Sequence, residues 1–341
     1  MERDLPALWR SAPWREELEA WLLPALADAG RTPTGPVVQE RVRFWSTVLH
    51  VETDAGRVWV KENAPSQAFE AGLVQVLESV VPGLCAPLVT LDTGRGWLAT
   101  EDLGSPMWHD ETPPPADDWV HVVERYAEAQ HTLAGAADTV LASGVPPFPQ
   151  AADDVVRWVV DLVDGLRSLP AGDPRRPTDE EAAAVDDGLG RIHDAAAVLE
   201  ASGLPSSLQH NDLHLGNAFR RPDGGTALID LGDAVWANPL TTLRIPLWIM
   251  RARLGLAADD PAVLRARDAG LEPWTDRWSR AALVALLPAA DRLSCLHRSA
   301  SWSRLQADVP VRVVEEPYVR ATIEWLVDGA APDPFASAIS R

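Results

Sequence analysis

The stretch Gln209–Asp233 reads QHNDLHLGNAFRRPDGGTALIDLGD. Three of its side chains combine into a chemical pattern: Asp212, Asn217 five positions later, and Asp230 at the end of the apolar run 227–229. A phosphoryl transfer needs a carboxylate that orients the attacking hydroxyl and accepts its proton. It also needs oxygen ligands that hold magnesium on the nucleotide phosphates. The two aspartates and the asparagine suit these tasks.

The local pattern predicts that two of these residues meet. Residues 218–220 and 226–229 have the character of short strands, and the Pro-Asp-Gly-Gly segment at 222–225 is a strong hairpin turn signal between them. A hairpin of this kind returns Asp230 to the side of Asn217. Two ligands of a shared magnesium ion would have to lie this close.

The motif His210-x-Asp212-x-x-x-x-Asn217, followed by Asp230-Leu-Gly, resembles the catalytic loop and metal-binding segment of the protein-kinase-like fold. The fuller strings HNDLHLGN and IDLGD are more similar to the aminoglycoside phosphotransferase and choline kinase-like family, which phosphorylates small molecules. That family usually has glycine where this chain has Asn211, and protein kinases usually have arginine there. The resemblance implies ATP and Mg²⁺ as cofactors, with Asp212 as the catalytic residue and Asn217 and Asp230 as metal ligands.

Three other functions remain open from the sequence. A protein kinase would use the same nucleotide site, but no recognisable Ala-Pro-Glu segment follows Asp230. His210-x-Asp212-x-His214 could supply the metal ligands of a hydrolase, because alternate residues of an extended segment face the same way. The same fold could also belong to a catalytically inactive nucleotide-binding pseudokinase. A small-molecule kinase is the function that we expect.

Residues 1–104 are predicted to form an N-terminal nucleotide-binding lobe. Apolar residues at helical spacing predict a helix at about 14–30, and a period-two pattern then predicts a three-stranded antiparallel meander with a turn at 54–56. Lys61 ends the third strand and is the only lysine among the 30 basic residues of the chain. A compact ammonium differs from a planar guanidinium in how it reaches phosphate oxygens, so Lys61 is the predicted phosphate contact.

A helix is expected from about Ser66 to Val80, and Glu70 in its first turns is the candidate partner of Lys61. The turn between the first two strands lacks a glycine-rich motif. The hydroxyls of Ser46 and Thr47 are the candidate phosphate contacts there, and plain turn residues are the equal alternative. A second hairpin is predicted at 87–100, and it leads into a hinge that resembles the hinge of the family. The resemblance implies that Glu101 and Leu103 contact adenine through their main-chain carbonyl and amide.

Residues 105–341 are predicted to form a larger, mainly helical C-terminal lobe, which completes a bilobal α+β protein-kinase-like fold. Helical patterns cover 119–142, 152–169, 179–202, 240–254, 274–299 and 317–327. The catalytic loop and the substrate site belong to this lobe. Asp233 is a candidate substrate or metal contact or a local cap, and Trp236 is a candidate wall of the substrate pocket.

Charge and composition narrow the range of partners. The net charge of −20 disfavours nucleic acid, because a phosphate backbone requires a basic surface. It would suit a small, cationic hydroxyl substrate, although acidic surfaces also serve solubility. The start Met1–Asp4 is not that of a signal peptide, and no apolar run is long enough for a membrane span. With two cysteines in apolar surroundings, we expect a reduced, cytoplasmic protein.

Overall fold

Five antiparallel strands form the sheet of the first lobe. They are β1 Val38–Val42, β2 Ser46–Thr53, β3 Gly56–Asn63, β4 Leu88–Asp92 and β5 Trp97–Glu101. Their order across the sheet is β1-β2-β3-β5-β4, so the predicted meander and second hairpin are both present. The computed structural model describes residues 3–109 and 111–334. The ends of the two predicted lobes, residues 1–2 and 335–341, lie outside this range.

The alternation of side chains along β2 and β3 decides which face of the sheet is apolar. Leu49, Val51, Val58 and Val60 are all buried in one hydrophobic cluster. Lys61 is paired with Val48 in the neighbouring strand. Because successive residues of a strand point to opposite faces, Lys61 lies on the other face from Val60.

The helices of the first lobe cover both faces of this sheet. They are α1 Leu5–Trp9, α2 Ala12–Asp28 and α3 Glu70–Val80. The predicted N-terminal helix starts earlier than expected, because Ser11 caps it, and α1 was not predicted at all. The helix expected from Ser66 begins only at Glu70, because residues 65–67 form a separate 3-10 turn. This arrangement puts Glu70 in the first turn of α3.

The second lobe is mainly helical, as predicted. Its helices are α4 Ala116–Ala134, α5 Ala137–Leu141, α6 Ala152–Arg167, α7 Asp179–Ala201, α8 Arg244–Leu254, α9 Pro261–Leu271, α10 Arg280–Asp308 and α11 Ala321–Ala330. The pattern at 119–142 is divided between α4 and α5, and α9 was not predicted. Trp302 and Leu305 of α10 pack into the core of the first lobe. None of the helices in the described residues could cross a membrane.

Four short strands position the central loop of the second lobe. They are β6 Ser207–Gln209, β7 Ala218–Arg220, β8 Thr226–Leu228 and β9 Val235–Ala237. β7 and β8 form the predicted hairpin, and β6 pairs with β9, which the sequence did not predict. The loop that contains Asp212 therefore starts and ends on paired strands. This pairing fixes both ends of the loop.

Gly188 and Gly190 of α7 differ in how closely neighbouring atoms approach them. A methyl group at Gly188 would lie 2.6 Å from the carbonyl oxygen of Ala330 in α11, whereas a methyl group at Gly190 would meet no atom within 4 Å. We expect Gly188→Ala to lower the free energy of unfolding by about 1–3 kcal/mol, because this overpacking outweighs the better helix propensity of alanine. The matched variant Gly190→Ala should raise it by about 0.5–1 kcal/mol.

Urea denaturation of both variants beside the wild type measures these changes. A Gly188→Ala protein as stable as Gly190→Ala would contradict the close contact between α7 and α11.

Candidate active site

The loop between β6 and β7 bends at Asn211, which has a φ of 66°. A left-handed backbone favours glycine, and asparagine tolerates it better than most other residues. The Asn211 amide also donates hydrogen bonds to the carbonyl of His297 at 3.0 Å and to that of Asp233 at 3.3 Å. Asparagine therefore adds contacts to α10 and to the loop after β8 that glycine could not make.

His210 supports the same loop from inside the protein. Its Nε2 lies 3.1 Å from the carbonyl oxygen of Ile229, and its Nδ1 lies 3.4 Å from the amide of Asp212. Burial lowers the pKa of His210, so the neutral ring donates from Nε2 and accepts at Nδ1. Both nitrogens are occupied, and this geometry gives no support to the alternative of a hydrolase with His210 as a metal ligand.

Asp212 presents a partly exposed carboxylate between two basic groups. Its Oδ1 lies 3.4 Å from Nη1 of Arg298, and its Oδ2 lies 3.6 Å from Nε2 of His214. Burial alone would raise the pKa of Asp212, but Arg298 and His214 outweigh burial and hold this pKa well below its usual range. Asp212 is therefore ionised at neutral pH. Arg298 was not singled out in the sequence, where one arginine among many carries no signal.

The hairpin of β7 and β8 places Asn217 and Asp230 next to each other. The amide of Ile229 donates to the carbonyl of Asn217 at 3.0 Å, and the Asn217 side-chain amide donates to the Asp212 carbonyl at 3.1 Å. The side-chain oxygen of Asn217 and one carboxylate oxygen of Asp230 remain for a ligand. Two oxygen donors fit Mg²⁺, which usually takes one or two carboxylates together with phosphates and water.

Mg²⁺ at this site would not need a protein ligand at every coordination position, because phosphates and water supply the others. No cluster of three or more His, Cys, Asp or Glu side chains that could hold a metal occurs in residues 3–109 and 111–334. A pair of oxygen ligands suits an ion that arrives with a nucleotide.

Lys61 joins three separate elements. Its Nζ lies 2.7 Å from Oε2 of Glu70 and 2.6 Å from Oδ1 of Asp230. Glu70 also accepts hydrogen bonds from the side chain of Asn63 and, at 2.8 Å, from the amide of Leu231. Burial disfavours the charged ammonium, but Asp230 and Glu70 outweigh it and raise the pKa of Lys61. The ammonium thus stays charged and fixed between the lobes.

A cavity of about 400 Å³ lies between the lobes, a size within the usual range for small-ligand sites. Glu101 and Leu103 of the predicted hinge line it, together with Lys61, Asn217 and Asp230. Trp59 of β3 also lines the cavity. Trp59 was not predicted as a site residue, although its position two residues before Lys61 on the same strand face indicates it.

Ser46 and Thr47 do not line this cavity. Both are buried, and the Thr47 hydroxyl donates to the carbonyl of Arg41 at 3.1 Å and accepts from Gln39 at 2.8 Å. These bonds hold β1 against β2 beside an irregularity in their pairing. The predicted role of the two hydroxyls in phosphate binding therefore finds no support in their placement. Glu40 and Arg41 reach the cavity instead.

Asp233 and Trp236 are also engaged within the protein. Asp233 accepts hydrogen bonds from Gln67 at 2.6 Å and from Ser301, and it pairs with Arg298 at 3.1 Å. Trp236 pairs with Leu208 between β9 and β6 and is 6% exposed. This placement puts Trp236 in the hydrophobic core of the second lobe and not on the wall of a pocket.

The model of a family described as "Phosphotransferase enzyme family" matches residues 39–283. No sequence among the curated proteins matches the chain. An ethanolamine kinase from Plasmodium vivax is similar in fold, with a TM-score of 0.58 and 11% identity over 92% of this chain and 85% of its own.

Two other solved structures show the same similarity. The choline kinase LicA from Streptococcus pneumoniae has a TM-score of 0.56 and 14% identity, and covers 92% of this chain and 99% of its own. The ADP-bound aminoglycoside phosphotransferase APH(2'')-Ib has a TM-score of 0.57 and 14% identity, and covers 94% of this chain and 97% of its own. The predicted bilobal α+β kinase-like fold is confirmed.

The contacts of Lys61 can be tested through stability. Lys61→Met removes the only ammonium between Glu70 and Asp230 and leaves a buried carboxylate without its charged partner. We expect a loss of about 3 kcal/mol in the free energy of unfolding, the lower end of the range for breaking a buried ion pair, because Asp230 is partly exposed. Urea denaturation measures this loss.

The double variant Lys61→Met/Glu70→Gln is the control. It removes both charges, so it should be less destabilised than the sum of the two single variants. Simple additivity would show that the two side chains do not interact.

Proposed function

Because the chain belongs to the phosphotransferase enzyme family, we propose that it transfers the γ-phosphoryl group of ATP to a hydroxyl group of a small molecule. The observation that carries this proposal is the contact of Lys61 with Glu70 and Asp230, at 2.7 and 2.6 Å, on the wall of a cavity that Asn217 also lines. An ammonium and two oxygen ligands meet there, as nucleotide phosphates and their metal ion require.

The nucleotide occupies the cavity between the lobes. Main-chain groups of Glu101 and Leu103 at the hinge bind the base, and Lys61 contacts the phosphates, oriented by Glu70. The indole of Trp59 provides an aromatic surface on the cavity wall, and aromatic rings stack well on nucleobases. One structure of similar fold is ADP-bound, which supports a nucleotide as a ligand of this chain.

Asn217 and Asp230 would hold Mg²⁺, which supplies charge neutralisation at the phosphates when it is bound. In the protein itself, Asp230 keeps one oxygen on Lys61, so its carboxylate cannot rotate freely. Asn217 is fixed through its amide bond to the loop that carries Asp212. The hairpin therefore sets the ligands in place relative to the catalytic carboxylate.

Asp212 acts on the acceptor. It accepts a hydrogen bond from the substrate hydroxyl and orients the oxygen towards the γ-phosphorus. As the new O–P bond forms, the bond from the γ-phosphorus to the leaving oxygen breaks, ADP departs, and the hydroxyl proton passes to Asp212. The low pKa of Asp212 makes it a weak base, so its main contribution is orientation before a late proton transfer.

The acceptor is a small molecule with a hydroxyl group, and a cationic one suits the net charge of −20. Amino sugars, amino alcohols, aminoglycosides and other antibiotics fall in this class. The similar structures are named for ethanolamine, choline and aminoglycosides, which supports amines as the first compounds to test. We also propose a cytoplasmic location, because Cys85 and Cys295 are buried free thiols.

Incubation with Mg-ATP and a panel of these compounds, followed by mass spectrometry, tests the proposal. We expect one class to gain a phosphoryl group with the wild type. Asp212→Asn should lower kcat by about 10²–10⁴-fold, because an uncharged amide orients the hydroxyl less strongly and cannot take its proton, with little change in the KM for ATP.

Asp223→Asn, in the exposed turn of the hairpin, serves as the control and should match the wild type. Equal product from wild type and Asp212→Asn would remove Asp212 from the mechanism. Tight ATP binding without product on any compound would favour the inactive pseudokinase.

A further inference from the structure

Arg298 of α10 lies directly behind the catalytic loop. Its Nη1 is 2.9 Å from the carbonyl oxygen of Asn211, 3.1 Å from Oδ2 of Asp233 and 3.4 Å from Oδ1 of Asp212. The side chain is only 10% exposed and does not line the nucleotide cavity. A single guanidinium nitrogen thus faces three acceptors, two of them on the catalytic loop.

Two aromatic rings restrict the guanidinium. Its central carbon lies 5.7 Å from the ring centre of Trp302 and 5.9 Å from that of Trp325. Cation–π contacts of this kind favour a planar guanidinium and limit its movement. The position of Arg298 is therefore determined by the packing of α10 and α11.

The contacts continue from Arg298 into the first lobe. Asp233 uses its other oxygen to accept from Nε2 of Gln67 at 2.6 Å, and Ser301 donates to the same oxygen. Gln67 ends the 3-10 turn before α3, three residues before Glu70. A continuous polar chain of Gln67, Asp233, Arg298 and Asp212 thus joins the start of α3 to the catalytic carboxylate.

We propose that Arg298 is a positioning residue, which fixes the orientation of the Asp212 carboxylate and couples it through Asp233 and Gln67 to the first lobe. This inference rests on the proposed function of Asp212. Misplacement of a reacting group by about 1 Å can cost about 10²-fold in rate. One buried arginine that bonds to the backbone beside Asp212 and to its carboxylate prevents such movement.

A merely structural ion pair is the competing explanation. It would lower stability and would affect turnover independently of Asp212. A positioning residue acts only through the group that it positions, so its effect disappears when that group is removed. A double-mutant cycle separates the two explanations.

The experiment compares wild type, Arg298→Gln, Asp212→Asn and the double variant, with an acceptor from the panel above. We expect Arg298→Gln to lower kcat by about 10²-fold, with the KM for ATP unchanged, because Arg298 lies outside the nucleotide cavity. In the Asp212→Asn background, the same substitution should cause no further loss. Arg298→Lys keeps the charge and should recover part of kcat.

Arg292→Gln is the matched control on the same helix. Arg292 is also a buried arginine, and it bonds to the backbone carbonyls of Gly329 and Ala331. Its loss should lower stability and leave kcat close to the wild-type value in both backgrounds. If Arg298→Gln fails to fold, Gln67→Leu interrupts the same chain farther from Asp212. It should lower kcat only when Asp212 is present.

The outcomes are distinct. The positioning role would be overturned if the losses in kcat from Arg298→Gln and Asp212→Asn multiply in the double variant. It would also be overturned if Arg298→Gln had the kcat of the wild type. Either result would leave the phosphotransferase proposal intact. Absence of any phosphorylated product from the wild type would instead reject the proposed function.

Discussion

The charge of Lys61 determines how the two lobes meet. Its ammonium lies between Glu70 of α3 and Asp230 of the loop after β8, so it ties a strand and a helix of the first lobe to the β7–β8 hairpin of the second. Glu70 is buried, and a buried carboxylate without a cation is strongly unfavourable. The sheet, α3 and the hairpin can therefore satisfy their charges together only in one relative placement. The cavity between the lobes is the space that this placement leaves.

Backbone strain is concentrated at the same place. Among the described residues, Asn211 and Asp230 are the two non-glycine residues with a positive φ. Left-handed backbone at such residues costs free energy and persists only where the surroundings enforce it. At Asn211 the enforcement comes from its hydrogen bonds to the carbonyls of His297 and Asp233, and at Asp230 it comes from the ammonium of Lys61. The fold thus uses polar contacts across elements to hold Asn211 and Asp230 in left-handed conformations, which cost free energy even at asparagine and aspartate.

The sequence predicts those structural features that depend on residues close to one another in the chain. Period-two alternation and turn residues located the strands of the first lobe and the β7–β8 hairpin, and a lone lysine with a glutamate nine residues later indicated the pair at the cleft. Contacts between segments that are far apart in the chain produce no local pattern in the sequence. Arg298 reaches Asp212 only because α10 crosses behind the loop, and Trp236 is buried because β9 pairs with β6. Thr47 lies on the strand face of Leu49, and its hydroxyl bonds to the backbone of Arg41 beside an irregular pairing of β1 with β2 that no local pattern indicates.

Packing against the second lobe orders the turn between β1 and β2. Phe44 and Trp45 pack against Trp302 and Tyr318, and Arg43 pairs with Glu315 at 2.6 Å. Aromatic packing of this kind orders the turn in the folded protein. Ser66, whose amide donates to Asp308 of α10 at 2.9 Å, adds a second tie between the lobes. The entropy of ordering this turn is therefore lost during folding. Residues 43–47 do not line the cavity, so the turn contributes to the contact between the lobes and not to the cavity wall.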